Sequence, residues 1–108
     1  MRLRGPLTAP EPDKAAKGDY KLYAISAAAE KGWEGLCKNH KGAAQRCYEH
    51  LVVEPFTRVP GRVFPLRGKP NRGKWEYEVT GAERLYYYPD SEEKIVIVLQ
   101  AGGHESPP

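Results

Sequence analysis

The run Gly73-Lys74-Trp75-Glu76-Tyr77-Glu78-Val79-Thr80-Gly81-Ala82-Glu83-Arg84-Leu85-Tyr86-Tyr87-Tyr88 decides the fold. Trp75, Tyr77 and Val79 alternate with polar residues, and Gly81-Ala82 breaks the run once, which marks a hairpin. The turn can be drawn two ways. A two-residue loop at Gly81-Ala82 sets Val79 opposite Arg84 and buries an arginine. A three-residue loop, Thr80-Gly81-Ala82, pairs Glu78 with Arg84 and Val79 with Leu85. A slip of one residue exchanges every side chain between faces, so burial discriminates between the two. The three-residue loop is expected, with glycine supplying its left-handed position. Tyr77, Val79, Leu85 and Tyr87 then enter the core beside Trp75. Glu76, Glu78, Arg84 and Tyr86 share the other face.

Downstream, Pro89-Asp90-Ser91 turns the chain into a third run, Lys94 to Ala101, that ends at Gly102-Gly103-His104. Upstream, the segment from Pro55 to Trp75 is broken by proline and glycine and leaves room for a short strand at Arg62-Val63-Phe64. It carries Arg58, Arg62, Arg67, Lys69, Arg72 and Lys74 and no acidic residue. Such a stretch is either a solvated loop or a grip for an anionic partner, RNA or an acidic protein.

Earlier still, Tyr20 to Ile25 alternates like a strand, with Tyr20, Leu22 and Ala24 on one face. Ser26 is placed to cap a helix from Ala27 to about Lys38, whose Ala29, Trp33, Leu36 and Cys37 fall at helical spacing. Gly32 and Gly35 weaken that helix, each by roughly 1 kcal/mol relative to alanine, so packing through Trp33 must hold it. A second helix is expected over about Ala43 to Val53, with Ala44, Cys47, Tyr48 and Leu51 on one stripe and Glu54-Pro55 ending it. The short link between them implies a helical hairpin. The expected fold is therefore α+β, a helical hairpin packed on a four-stranded antiparallel sheet in the order β-α-α-β-β-β.

The 108 residues suffice for one domain. Residues 19–104 form the expected domain, with 105–108 as a tail. Residues 1–18 carry Pro6, Pro10 and Pro12 among charged and small residues and are expected to be disordered or loosely draped. No run is apolar enough to cross a membrane or to serve as a signal peptide, so a cytoplasmic protein is expected. Cys37 and Cys47 lack partners at zinc spacing and read as small apolar residues; neither a metal nor a cofactor is expected. A net charge of +3 is mild, so charge placement matters more than its total.

In order along the chain, Pro55-Phe56, Pro65-Leu66-x-Gly68, Gly73-x-Trp75, Thr80, Arg84-Leu85-x-Tyr87 and His104 resemble the RelE/ParE superfamily of bacterial toxin–antitoxin toxins, most closely its YoeB-like branch. The resemblance spans about Tyr20 to His104. It implies a ribosome-dependent endoribonuclease that cuts messenger RNA and is held in check by a cognate antitoxin. It matches Arg84 to the arginine on the scissile phosphate and His104 to a histidine near the end of the last strand. Arg67, Lys69 and Lys74 stand where the superfamily places RNA-gripping cations. The pattern departs at three places: Phe64 replaces the branch's glutamate base, Glu105 a tyrosine, and Glu78 a superfamily arginine.

Cleavage through the RNA's own 2′-hydroxyl needs a base, a cation on the phosphate and an acid for the leaving 5′ oxygen. Arg84 suits the phosphate. His104 suits acid or base. Glu78 or Glu76 is available as base, and Glu105 adjoins His104. Glu78 opposite Arg84 reads first as a cross-strand ion pair and second as a base. Arg72 joins the basic grip, and Tyr86, Tyr87 and Tyr88 offer a base-stacking platform of which at least one must instead be core. Three functions remain in play: a messenger-RNA nuclease, a gyrase-poisoning toxin of the ParE kind, and a non-catalytic antitoxin-binding module of the same fold.

Overall fold

A computed structural model describes residues 2–103. It contains β1 (Lys21–Ala24), α1 (Ala27–Asn39), α2 (Lys41–Val53), β2 (Val63–Pro65), β3 (Trp75–Glu78), β4 (Glu83–Asp90) and β5 (Ile95–Gly103). The sheet has five strands in the order β1-β5-β4-β3-β2, not the four expected. The additional strand is β2, the short segment for which the basic stretch left room. It also corrects the expectation of an all-antiparallel sheet. Successive elements reverse direction, so inserting one more strand inverts β5 relative to β1. The two therefore run parallel, with Leu22 opposite Val96 and Ala24 opposite Val98.

Both helices cover one face of this sheet. Ser26 caps α1 as expected, its Oγ accepting the Ala29 N–H at 3.1 Å. Ala29, Trp33 and Leu36 of α1 and Ala44, Cys47, Leu51 and Val52 of α2 are buried, while Cys37 is half-buried. The two α1 glycines differ. A Cβ on Gly32 would stand 2.0 Å from the Ala101 carbonyl oxygen, whereas one on Gly35 would meet nothing. Gly32 is thus the point where helix backbone lies directly on β5, and its cost in helix propensity is offset by that approach.

The β3–β4 hairpin has the register required by the three-residue loop, with Glu78 opposite Arg84 and Trp75 opposite Tyr87. Leu85 faces Tyr77, not Val79, because antiparallel partners move in opposite directions along their strands. All five expected core residues, Trp75, Tyr77, Val79, Leu85 and Tyr87, are buried. Gly81 is not among the left-handed glycines. The turn is held by Thr80, whose Oγ1 accepts the N–H groups of Ala82 at 3.2 Å and Glu83 at 3.0 Å. The next turn begins after Asp90, whose Oδ1 accepts from the Glu92 and Glu93 amides.

Residues 2–18, expected to be disordered or loosely draped, carry specific anchors. Arg4 exchanges two backbone hydrogen bonds with Ala24, at 2.9 and 2.8 Å, and Leu7 donates to Leu22 at 2.7 Å. Leu7 and Ala9 are buried, and the Trp33 indole N–H donates to the Thr8 carbonyl at 2.9 Å. Gln45 and Glu11 bond reciprocally through the Gln45 amide and the Glu11 backbone. The segment covers the otherwise open edge of β1, which is why few apolar residues suffice to seat it.

Candidate functional site

The face of the sheet away from the helices carries Glu76, Glu78, Arg84 and Tyr86. Register places Glu78 against Arg84 and Glu76 against Tyr86. The Arg84 guanidinium is almost wholly engaged. Its Nε lies 3.2 Å from Glu76 Oε2, and its Nη2 lies 3.5 Å from Glu78 Oε1. Its Nη1 donates to the carbonyls of Thr80 at 2.9 Å, Gly81 at 3.2 Å and Glu83 at 3.3 Å. The Arg84 side chain is 16% exposed, Glu76 17% and Glu78 30%. Two carboxylates thus enclose one guanidinium, so the cluster carries a formal excess of negative charge. Glu78 is the carboxylate more open to solvent. Glu78, expected as an ion-pair partner or a base, is paired with Arg84.

Tyr86, expected as an RNA contact, is 3% exposed and offers no ring face to a base. Burial raises its phenol pKa, and the Glu76 charge adds to the shift, partly opposed by Arg84. Tyr87 lies on the helix side, stacked on Trp75 with ring centroids 6.1 Å apart, and donates its hydroxyl to the Pro55 carbonyl at 2.8 Å. Tyr88 is the exposed member of the three. Two of the tyrosines are therefore packing residues.

The basic residues Arg67, Lys69, Arg72 and Lys74 sit at the tip of the β2–β3 hairpin. The tip is ordered by a 3-10 turn at Lys69–Asn71, by Asn71 Nδ2 donating to the Arg67 carbonyl at 2.8 Å, and by Lys74 N–H donating to Asn71 at 2.9 Å. Arg67, Lys69 and Arg72 are exposed and Lys74 half-buried. Arg84 and this tip lie toward opposite ends of β3, separated by about 13 Å at the usual rise per strand residue. Among the described residues, the sequence-predicted site thus falls into two clusters, one toward each end of β3.

His104 lies outside the described residues. The described histidines serve elsewhere. His40, between the helices, has its Nε2 3.5 Å from Glu83 Oε1, which ties the helical hairpin to the start of β4. His50 stands edge-on to Tyr77 with its Nδ1 3.8 Å from Glu54, and burial holds its pKa below the ordinary imidazole value. Among the described residues no three His, Cys, Asp or Glu side chains gather as metal ligands. Burial pushes the Cys37 thiol up to about 11 and Cys47 well above its ordinary value, so neither is a ready nucleophile. Among the described residues no helix is long and apolar enough to cross a membrane.

No protein-family model matches the sequence, and no curated protein matches it. Solved structures do. A YoeB/ParE toxin from Agrobacterium tumefaciens superposes with a TM-score of 0.64 at 18% identity, over 78% of this chain and 98% of that one. A chain of the RelBE2 toxin–antitoxin complex from Mycobacterium tuberculosis gives 0.59 at 22% identity, over 80% and 99%. A chain of the DinJ–YafQ toxin–antitoxin complex from Escherichia coli gives 0.58 at 19% identity, over 80% and 93%. The arrangement of two helices on one face of a five-stranded mixed sheet is therefore the RelE/ParE toxin fold.

Proposed function

We propose that the chain is the toxin of a type II toxin–antitoxin pair and acts as a ribosome-dependent endoribonuclease on messenger RNA. The observation that carries this reading is the open sheet face, which sets an acid-free basic hairpin tip and an arginine–glutamate cluster on a RelE/ParE fold. Arg67, Lys69, Arg72 and Lys74 hold the phosphate backbone. Substrate phosphate draws Arg84 partly away from its carboxylates, and the guanidinium stabilises the charge that develops on phosphorus. Glu78, the more accessible carboxylate, takes the 2′-hydroxyl proton as the 2′ oxygen bonds to phosphorus. The 5′ oxygen leaves with a proton supplied by His104, and a 2′,3′-cyclic phosphate remains. No cofactor or metal enters this scheme. The partner is a cognate antitoxin, an acidic segment of which would cover the basic tip. The working compartment is the cytoplasm, where ribosomes and messages are.

A second reading has its own support. The five-fold engagement of Arg84, together with Phe64 and Glu105 at positions where the YoeB-like branch carries its base and a tyrosine, favours a chain that binds without cutting. Induced expression in a bacterial host separates the readings. The nuclease reading expects growth arrest with cuts in translated messages, lost in Arg84→Ala. Arrest with intact messages and inhibited gyrase supercoiling favours a ParE-like toxin. Normal growth with folded, soluble protein favours the binding module.

A further inference from the structure

Tyr88 lies where the basic tip meets the open sheet. It is 42% exposed on β4 and faces Ile97 of β5, which in turn faces Tyr23 of β1. Extending the register that sets Trp75 opposite Tyr87 carries Lys74 opposite Tyr88 on the same face. The Tyr88 ring rests on the backbone of Gly73: a Cβ there would stand 2.5 Å from Tyr88 Cε2, and Gly73 has a φ of +81°. The ring thus packs against Gly73, between Arg72 and Lys74 in sequence, so closely that a side chain there would collide with it. Among the described residues, none of Arg67, Lys69, Arg72 and Lys74 has a carboxylate within 4.0 Å.

We infer that Tyr88, with Gly73 and Lys74, forms a base-stacking subsite for single-stranded RNA, with Lys69, Arg72 and Lys74 holding the flanking phosphates. An immobilised aromatic face beside unpaired cations is the arrangement by which single strands are held without reading their sequence. An acidic peptide would satisfy the cations alone and would leave the ring unused. The subsite rests on the RNA reading above, but it lies apart from Arg84 and needs no cleavage chemistry.

The test is binding of a fluorescein-labelled 12-nucleotide single-stranded RNA to the full chain, with Tyr88→Ala, Tyr88→Trp and Arg72→Ala as variants and a labelled oligoglutamate as control. Tyr88→Ala is expected to weaken RNA binding by about 5- to 150-fold, the effect of losing one stacked base, at both low and high salt. Tyr88→Trp, which keeps a ring, should retain the affinity. Arg72→Ala should reduce the slope of log affinity against log salt by about 0.7, the share of one phosphate contact. Binding that Tyr88→Ala leaves unchanged overturns the subsite, as does equal affinity for RNA and oligoglutamate. No binding by the natural chain overturns it too, while cuts in translated messages in the expression test would still uphold the nuclease reading.

Discussion

Arg84 makes its shorter ion pair with Glu76, at 3.2 Å through Nε, and not with its direct cross-strand partner Glu78, at 3.5 Å. Glu76 is the diagonal neighbour, two residues along β3, and a long guanidinium reaches it easily. The consequence is a three-group network in which one cation separates two carboxylates. Removing the cation leaves like charges facing one another across a largely buried patch.

The network therefore predicts unequal costs. Arg84→Ala should destabilise the chain by about 1–3 kcal/mol, because two half-buried carboxylates lose their partner. Glu76→Gln should cost less, since Glu78 still pairs the arginine. In a double-mutant cycle between Arg84→Ala and Glu76→Ala, urea unfolding should return a coupling of about 0.5–3 kcal/mol. A coupling near zero would mean the contacts are energetically idle, as many exposed pairs are.

The α1 glycines predict opposite signs for one substitution. Gly35→Ala, with open space around the new methyl, should stabilise by roughly 0.5–1 kcal/mol through helix propensity. Gly32→Ala drives the methyl into the Ala101 carbonyl, a backbone atom that cannot swing away. It should destabilise by about 1–3 kcal/mol as α1 is pushed off β5. Urea midpoints of the two variants, measured side by side, check both.

Tyr87 gives a buried hydrogen-bond prediction. Tyr87→Phe keeps the stacking on Trp75 but orphans the Pro55 carbonyl that accepts its hydroxyl at 2.8 Å. The expected loss is about 1–2 kcal/mol in unfolding free energy. Its effect should extend to the junction after α2, where amide exchange near Pro55 should quicken.

His50 sets a pH dependence. Burial lowers its folded pKa below the ordinary 6.5, against the opposing pull of Glu54. A histidine with a depressed folded pKa binds fewer protons folded than unfolded, so stability is fully present above about 6.5 and is lost as pH falls toward the folded value. Unfolding at pH 7.5 and 5.5 should show this decline. His50→Leu should flatten it, because no imidazole remains to be charged.

How far the sequence could be read depends on the range of the forces involved. The hairpin register was legible because a single buried arginine penalised the alternative. Ser26 and the Trp33 stripe were legible because capping and helical spacing are local. The parallel β1–β5 pairing was not, since it follows from the direction count, and the three residues of β2 that changed the count sit among prolines and glycines. The seating of residues 2–18 was hidden for a different reason. Its anchors are backbone hydrogen bonds to β1 and a few apolar contacts, which leave little compositional trace. At the site, Glu78 beside Arg84 was visible from pairing, whereas Glu76 needed side-chain reach. Tyr88 was one of three candidate tyrosines, and the pleat alone could not identify which face stayed open. Alternation along the strand set Tyr87 inward; the burial of Tyr86 on the open face had no signal in its neighbours.

The central claim, a messenger-RNA nuclease working through Arg84 and Glu78, is tested most directly by primer extension on messages translated by purified ribosomes in the presence of the full chain. The natural protein should cut within the coding region. Arg84→Ala should abolish the cuts, and Glu78→Gln, which keeps the shape but removes the base, should reduce them by about 100-fold or more. Intact messages with the natural chain, under conditions where the ribosomes are translating, would contradict the claim and leave a RelE/ParE fold that acts without cutting RNA.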